Sequence, residues 1–348
     1  MLFYQAPWFQ KQAKVQYIQT IMINKKTIQE INSYTQKIRN FFNKEHFVEV
    51  QTPILNKIPG MEPHLIPFET QFTNKTKLYL NTSPELQMKK LLANGFDKIF
   101  NITKVFRNGE IGGPLHSPEF TMLEWYRKNA NYKDIMDDCE NLIISLCPSK
   151  TINYQNNQIN LEKPWKRIST NDLFIKHCDI NLLENKDFNT FKETAIAKNY
   201  DINGCNSWDD IFFKIFLNHI EKKLGFEKPT IVYDYPSSQA ALAQKRKSEP
   251  FFAERFELYI AGVELANAFS ELIDANEQRE RLIEEQKLRK NLNKTVFDID
   301  EEFLASLESI TEPCSGIALG IDRLLMILLN KTDIKDVLLF PLENYLNK

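Results

Sequence analysis

The 348-residue sequence is most informative first through what it lacks. It has no surplus of positive charge: 44 Lys and Arg stand against 46 Asp and Glu, a net charge of −2. A protein that holds nucleic acid by its phosphates usually carries a basic excess, so an extended phosphate-binding surface is not expected. The five cysteines, Cys139, Cys147, Cys178, Cys205 and Cys314, are odd in number and contain no C-x-x-C spacing. Reduced thiols of a cytosolic protein fit that pattern better than a disulfide framework or a zinc site. No run approaches the ~18 apolar residues of a membrane span. Gln10, Lys11, Gln12 and Lys14 interrupt the N-terminal region where a secretory signal needs an unbroken apolar stretch. A soluble, cytoplasmic protein without membrane contact is expected. There is no G-x-x-x-x-G-K-[ST] loop and no G-x-G-x-x-G turn, so any nucleotide is bound in another way.

What the chain does have is core-forming residues, 43% apolar and 12% aromatic, which exclude disorder. Residues 1–24 are polar and aromatic with weak periodicity and read as an N-terminal extension. Residues 25–348 read as one catalytic domain, with a helical insertion at about 150–228 that is rich in Asn and Lys. From Lys25 to about Glu45, Ile28, Ile31, Ile38, Phe41 and Phe42 mark one helix face. A strand is expected at Phe47–Gln51, stopped at Thr52-Pro53 because proline has no N–H for a ladder. Further strands are expected at Leu78–Leu80, Lys98–Phe106, Thr230–Tyr233 and Arg255–Ile260, and helices at Pro84–Asn94, 187–199 and 208–224. The charged stretch Asn276–Lys290 reads as a helix with a solvated face.

Three segments carry chemistry. The first runs from Phe106-Arg107-Asn108-Gly109-Glu110 through His116-Ser117-Pro118-Glu119-Phe120 to Glu124-Trp125-Tyr126. The second joins Arg255-Phe256-Glu257 to Glu264-Leu265-Ala266-Asn267 and Glu271. The third is Gly316-Ile317-Ala318-Leu319-Gly320-Ile321-Asp322-Arg323. Arg107 and Arg323 stand beside small or turn-forming residues, suited to phosphates or to stacking on a base. Glu257 and Glu264, seven residues apart, are of the type that holds Mg²⁺ against phosphates. Gly316 and Gly320 allow backbone to come close to a ligand before an apolar helix. His64 and His116 read as loop residues, and Cys314 as a small packed one.

In order along the chain, these segments resemble motifs 2 and 3 of the class II aminoacyl-tRNA synthetases, and Val48-Glu49-Val50-Gln51-Thr52-Pro53 resembles their motif 1. Within that family the strings TSPELQMKKLL, PEFTMLEWYR, PSSQAALAQ, AERFELY, VELANAFSELIDA and CSGIALGIDRLLM are similar to the lysyl-tRNA synthetase core. They are most similar to its stand-alone paralogues, which attach (R)-β-lysine to elongation factor P. The resemblance implies an α+β fold, a six- or seven-stranded antiparallel sheet flanked by helices, and a homodimer. It implies ATP and Mg²⁺, with Glu257 and Glu264 at the metal. It places Arg107, Asn108, Glu110, Ser117, Phe120, Glu264, Leu265, Gly320 and Arg323 at ATP, with Arg107 and Arg323 catalytic. It places Ser83, Pro84, Glu85, Tyr126, Asn267, Glu271 and Ala318 at the amino acid, where two carboxylates would pair with two ammonium groups.

Two positions depart from the family pattern. Gly109 stands where the Arg-x-Glu glutamate is usual, with Glu110 next to it, and Ser117 replaces a common Asn in a loop one residue longer. The contact to the adenine amino group therefore falls either to Glu110 or to backbone. Ala318 stands where lysyl-tRNA synthetases resemble a Gly, and its methyl is of a size to favour an amino group on the β-carbon. About 24 residues precede the motif 1 helix, fewer than the roughly 100 of an anticodon-reading OB-fold. The expected acceptor is accordingly elongation factor P rather than tRNA, with a lysyl-tRNA synthetase-like enzyme using α-lysine and another acceptor as the alternative.

Overall fold

Alternation of apolar and polar positions builds the frame of the molecule, a broad sheet whose two faces are chemically different. The computed structural model describes residues 23–342 and 344; nearly all of the expected extension at 1–24 lies outside them. The described strands are β1 (Val48–Glu49), β2 (Leu55–Asn56), β3 (Glu69–Gln71), β4 (Lys77–Leu80), β5 (Lys98–Phe106), β6 (Glu119–Lys128), β7 (Thr151–Tyr154) and β8 (Asn157–Asn160). They continue with β9 (Lys166–Ser169), β10 (Thr230–Pro236), β11 (Phe252–Ile260), β12 (Val263–Ser270) and β13 (Cys314–Gly320). Eight of them form one sheet in the order β1-β5-β6-β13-β12-β11-β10-β9. The six central strands are antiparallel, and the short edge strands β1 and β9 pair in parallel. Those two edges account for the excess over the six or seven expected. The fold is α+β, a mainly antiparallel sheet flanked by helices.

On β6 the odd positions Leu123 and Trp125 enter the main core, and on β13 so do Ile317 and Leu319. Successive side chains of a strand point to opposite faces, so Phe120, Met122, Glu124 and Tyr126 share the other face with Gly316, Ala318 and Gly320. The Lys25–Lys44 helix is tied to the core side by Phe42, which stacks on Phe100 at 4.7 Å and lies 5.2 Å from Trp125. Burying such a side chain contributes about 1.5–3 kcal/mol. The Tyr132–Leu146 and Ile321–Leu328 helices cover the same face.

Segment 150–228 holds the β7–β8 hairpin and β9 besides the helices Thr170–Cys178, Phe188–Ala197 and Trp208–Ile215. Phe174, Phe191 and Phe212 form a second core there, against Val232, Tyr235 and Tyr259. The apolar pattern over 208–224 does not give one helix. Regular helix ends at Ile215, wider π-type turns follow over Phe216–Ile220, and a 3₁₀ turn closes it. A third cluster joins Met88 and Leu92 of the Glu85–Ala93 helix to Leu282, Phe303 and Tyr126. The charged Ala275–Asn291 helix is not wholly a solvated face: Gln278, Leu282 and Arg289 are buried.

Candidate functional site

The register of the sheet places one row of side chains across five strands. Asn101 of β5 lies opposite Glu124 of β6, which faces Ala318 of β13, then Asn267 of β12, then Glu257 of β11. Neighbouring strands are about 4.8 Å apart, so Glu124 and Glu257 are separated by roughly 14 Å. That distance divides the site into two ends that share the small residues of β13 as a floor.

At one end is a cleft of about 150 Å³, open to solvent, lined by Arg107, Glu110, Ser117, Phe120, Glu264, Leu265, Asn267, Ala318, Gly320 and Arg323 among others. Arg107 lies over the Phe120 ring, 5.2 Å from its centroid, and donates to Glu110 at 3.3 Å. Gly109 turns the chain at φ +97°, a left-handed conformation that glycine adopts freely, and so brings Glu110 back towards Arg107. Arg323 is pinned along its edge. Its guanidinium donates to the carbonyls of Leu115 (3.1 Å) and Glu264 (3.0 Å) and meets His116 Nε2 at 3.0 Å. Partial burial and the Arg323 charge keep the His116 pKa below its ordinary value. A neutral ring can accept from a guanidinium, which has only donors.

Glu264 lines the cleft with its side chain 38% exposed, and its ion pair with Arg323 is a long one of 3.9 Å. Desolvation and the nearby Glu257 charge push its pKa up. Glu257 is buried and well supplied with donors. Tyr235 and Tyr259 each donate to Oε2 and Arg255 donates to Oε1, all at 2.5 Å. Arg255 also donates to Asn267 Oδ1 at 3.0 Å, fixing that amide on the floor. Asn108 stands apart from the cleft, exposed, with its N–H bonded to the Ile66 carbonyl.

At the other end is a buried polar cluster. Glu124 is 0% exposed and accepts from Ser83 Oγ at 2.5 Å and Tyr126 Oη at 3.1 Å. Desolvation first, then the Glu85 charge, raises its pKa to about 8. Ser83 also accepts from the Glu85 N–H at 3.1 Å, so it serves the helix start and the pocket together. Pro84 is buried just before that helix and only shapes its entry. Glu271 is 3% exposed, and the Gly316 N–H faces its carboxylate. Lys89 completes the cluster, with Nζ 2.6 Å from Glu85 and 2.5 Å from Glu271. Gly316 forms the floor: a Cβ there would lie 2.1 Å from the Tyr126 ring.

The predicted residues thus come together in two groups, with Asn108 and Pro84 outside both. Sequence reasoning gave no role to Glu124, Lys89, Arg255, Tyr235 or Tyr259. Two signals were there: Glu124 alternates with Tyr126 on one strand face, and Lys89 follows Glu85 by one helical turn.

A family model described as tRNA synthetases class II (D, K and N) matches residues 11–344. The chain belongs to the class II aminoacyl-tRNA synthetase family. Its members are ATP-dependent ligases. This synthetase-like chain is 40% identical over 318 residues to a lysine–tRNA ligase of Wigglesworthia glossinidia brevipalpis, covering 89% of the chain but 63% of that relative's length. It is 38% identical over 318 residues to an elongation factor P–(R)-β-lysine ligase of Hamiltonella defensa, covering 88% of the chain and 92% of the relative. A ligase of the same name from Avibacterium paragallinarum is 38% identical over 337 residues, covering 94% and 96%. No helix among the described residues is long and apolar enough to cross a membrane.

Proposed function

We propose that this chain activates (R)-β-lysine as its adenylate at the expense of ATP, and transfers it to a lysine side chain of elongation factor P. The observation that carries the substrate class is the trio of buried Glu124 and Glu271 with part-buried Glu85, beside an arginine-lined cleft. Dry carboxylates favour ammonium groups, and each charge-assisted pair is worth about twice a neutral hydrogen bond. The near-complete mutual coverage with ligases named for elongation factor P supports the acceptor. The methyl of Ala318, opposite Glu124 in the sheet, supports a β-amino substrate.

The amino acid lies with its ammonium groups in the trio and its carboxylate towards the cleft. A carboxylate oxygen attacks the α-phosphorus of ATP, the bond to the pyrophosphate oxygen breaks, and pyrophosphate leaves. Arg107, now resting on Phe120 and Glu110, swings onto the developing charge. Arg323, edge-pinned, offers its free face to the adenine against Phe120. The acceptor amine then attacks the acyl carbon, the bond to the AMP oxygen breaks, and the amine proton leaves with the AMP phosphate or to water.

Glu264 and Glu257 suit Mg²⁺. Glu264, open to the cleft with only a long ion pair to Arg323, has oxygen that a hard cation would take, and Glu257 would join it by giving up donors it now has from Tyr235, Tyr259 and Arg255. When bound, the ion neutralises charge on the phosphates.

The 40% identity to a lysine–tRNA ligase favours a second reading, activation of α-lysine for another acceptor. Pyrophosphate exchange with each amino acid, followed by transfer of label to purified elongation factor P or to tRNA, separates the two. Labelled elongation factor P is expected; labelled tRNA alone would overturn the acceptor. A homodimer through the motif 1 region, where Val48, Ile54 and Leu55 are exposed, is expected by light scattering.

A further inference from the structure

The Glu85–Ala93 helix carries a residue that this chemistry does not use. Lys89 is 1% exposed in its side chain, and lysine is almost never fully buried without a partner. Its partners are Glu85, one turn earlier on the same helix, and Glu271, far along the chain just beyond β12. Glu271 reaches Lys89 at 2.5 Å and also faces the Gly316 N–H. Glu124 is the third carboxylate of the pocket. Glu62 and Glu285 also lie within reach of the Glu85 charge, so the neighbourhood is rich in carboxylates and Lys89 is the cation set among them.

Resting on the lysine-activating reading above, we propose that Lys89 is a positioning residue: it bridges Glu85 and Glu271 as an internal counter-ion and holds both carboxylates ionised and in place for a diammonium substrate. Without it, the carboxylates would repel one another and take up protons that the substrate must displace. Burial alone would strip Lys89 of its proton, but the charges of Glu271 and Glu85 outweigh that and hold its pKa above the ordinary value. The other titratable groups facing the cluster are Glu62, Glu285, Tyr126 on β6 and Cys314 on β13, each raised by burial first and then by the glutamate charges. None of these four supplies a second cation. Lys128 is a more remote influence on Cys314, and it pairs with exposed Glu312.

The test compares wild type, Lys89→Met and the double variant Lys89→Met/Glu271→Gln, which removes one charge of each sign. Lysine- and β-lysine-dependent pyrophosphate exchange is followed from pH 6 to 10, with thermal melting alongside. An opposite charge within about 4–6 Å moves a carboxylate pKa by about 1–3 units. The acid limb of kcat/KM in Lys89→Met is therefore expected about 1–3 pH units higher. At neutral pH the loss should fall mainly on KM rather than kcat. In the double variant the limb should return and the melting temperature should exceed that of Lys89→Met. If Lys89→Met does not fold, recovery of folding in the double variant supports the counter-ion. An unmoved limb, or a double variant no more stable than the single, overturns it. Absence of exchange with either amino acid in the wild type overturns the activity reading instead, while the melting order still tests the ion pair.

Discussion

Glu124 is one of four glutamates pushed well above the usual carboxylate range, with Glu264, Glu271 and Glu285. Buried beneath Ser83 and Tyr126, it titrates near 8 rather than near 4.5. It must be ionised to hold an ammonium, so kcat/KM for the amino acid should rise as pH climbs through about 8. Glu124→Gln should abolish that rise and weaken amino-acid binding roughly 10- to 100-fold, the worth of a charged hydrogen bond. Exchange kinetics against pH check both. Stability should run the opposite way. The folded state binds the proton more tightly than the unfolded chain does, so the stabilisation is complete below about 4.5 and is lost as pH rises through 8. Melting temperatures of wild type should fall over that window, and those of Glu124→Gln should fall less. At the other end, Arg323→Ala removes a guanidinium pinned by Leu115, Glu264 and His116. Loss of such a preorganised group should lower kcat about 10²–10³-fold, measured by single-turnover adenylate formation.

At the scale of the element, β13 shows why parts of the site were readable in the sequence. Its Gly-Ile-Ala-Leu-Gly pattern puts apolar side chains on the core face and almost nothing on the other, which frees space for ligand. Gly316→Ala would drive a methyl into the Tyr126 ring. The expected result is a raised KM for the amino acid and a lowered melting temperature, with the KM for ATP changed little; steady-state kinetics on each substrate test the separation. Strand β5 and the Lys25–Lys44 and Glu85–Ala93 helices follow their local patterns closely, because one face of each packs against a continuous core. The β7–β8 hairpin was missed because its apolar alternation, Ile152 with Tyr154 and Ile159 with Leu161, is short and sits in an Asn- and Gln-rich stretch; Gln155 and Asn156 adopt positive φ at the turn. The edge strand β1 shrank to Val48–Glu49, since only β5 pairs with it and Pro53 ends the segment. Lys89 was hidden for a different reason. Beside Lys90 on a charged helix it looks like a surface residue, and only Glu271, far along the chain, makes its burial possible.

At the scale of the whole molecule, a second buried cation ties distant regions together. Arg289 donates to the carbonyls of Glu62 (2.7 Å), Leu65 (3.2 Å) and Thr295 (2.6 Å), and its guanidinium lies over Phe297. It anchors the Ala275–Asn291 helix to the stretch that leads into β3. Arg289→Met would leave three carbonyls short of a charged donor, and a melting temperature lower by roughly 5–10 °C is expected by calorimetry. The sheet order has the same long reach. Strands β6 and β13 are neighbours although about 190 residues lie between them, and the Thr121 N–H bonds to Asp322 Oδ2 at 2.6 Å. On a ribosome adding about 5–20 residues per second, that gap lasts on the order of 10–40 s. Through that interval Glu85 and Glu124 have been made without the β13 floor and without Arg323, and for most of it without Glu271. A nascent chain therefore passes most of its synthesis unable to draw on its own substrates for stability.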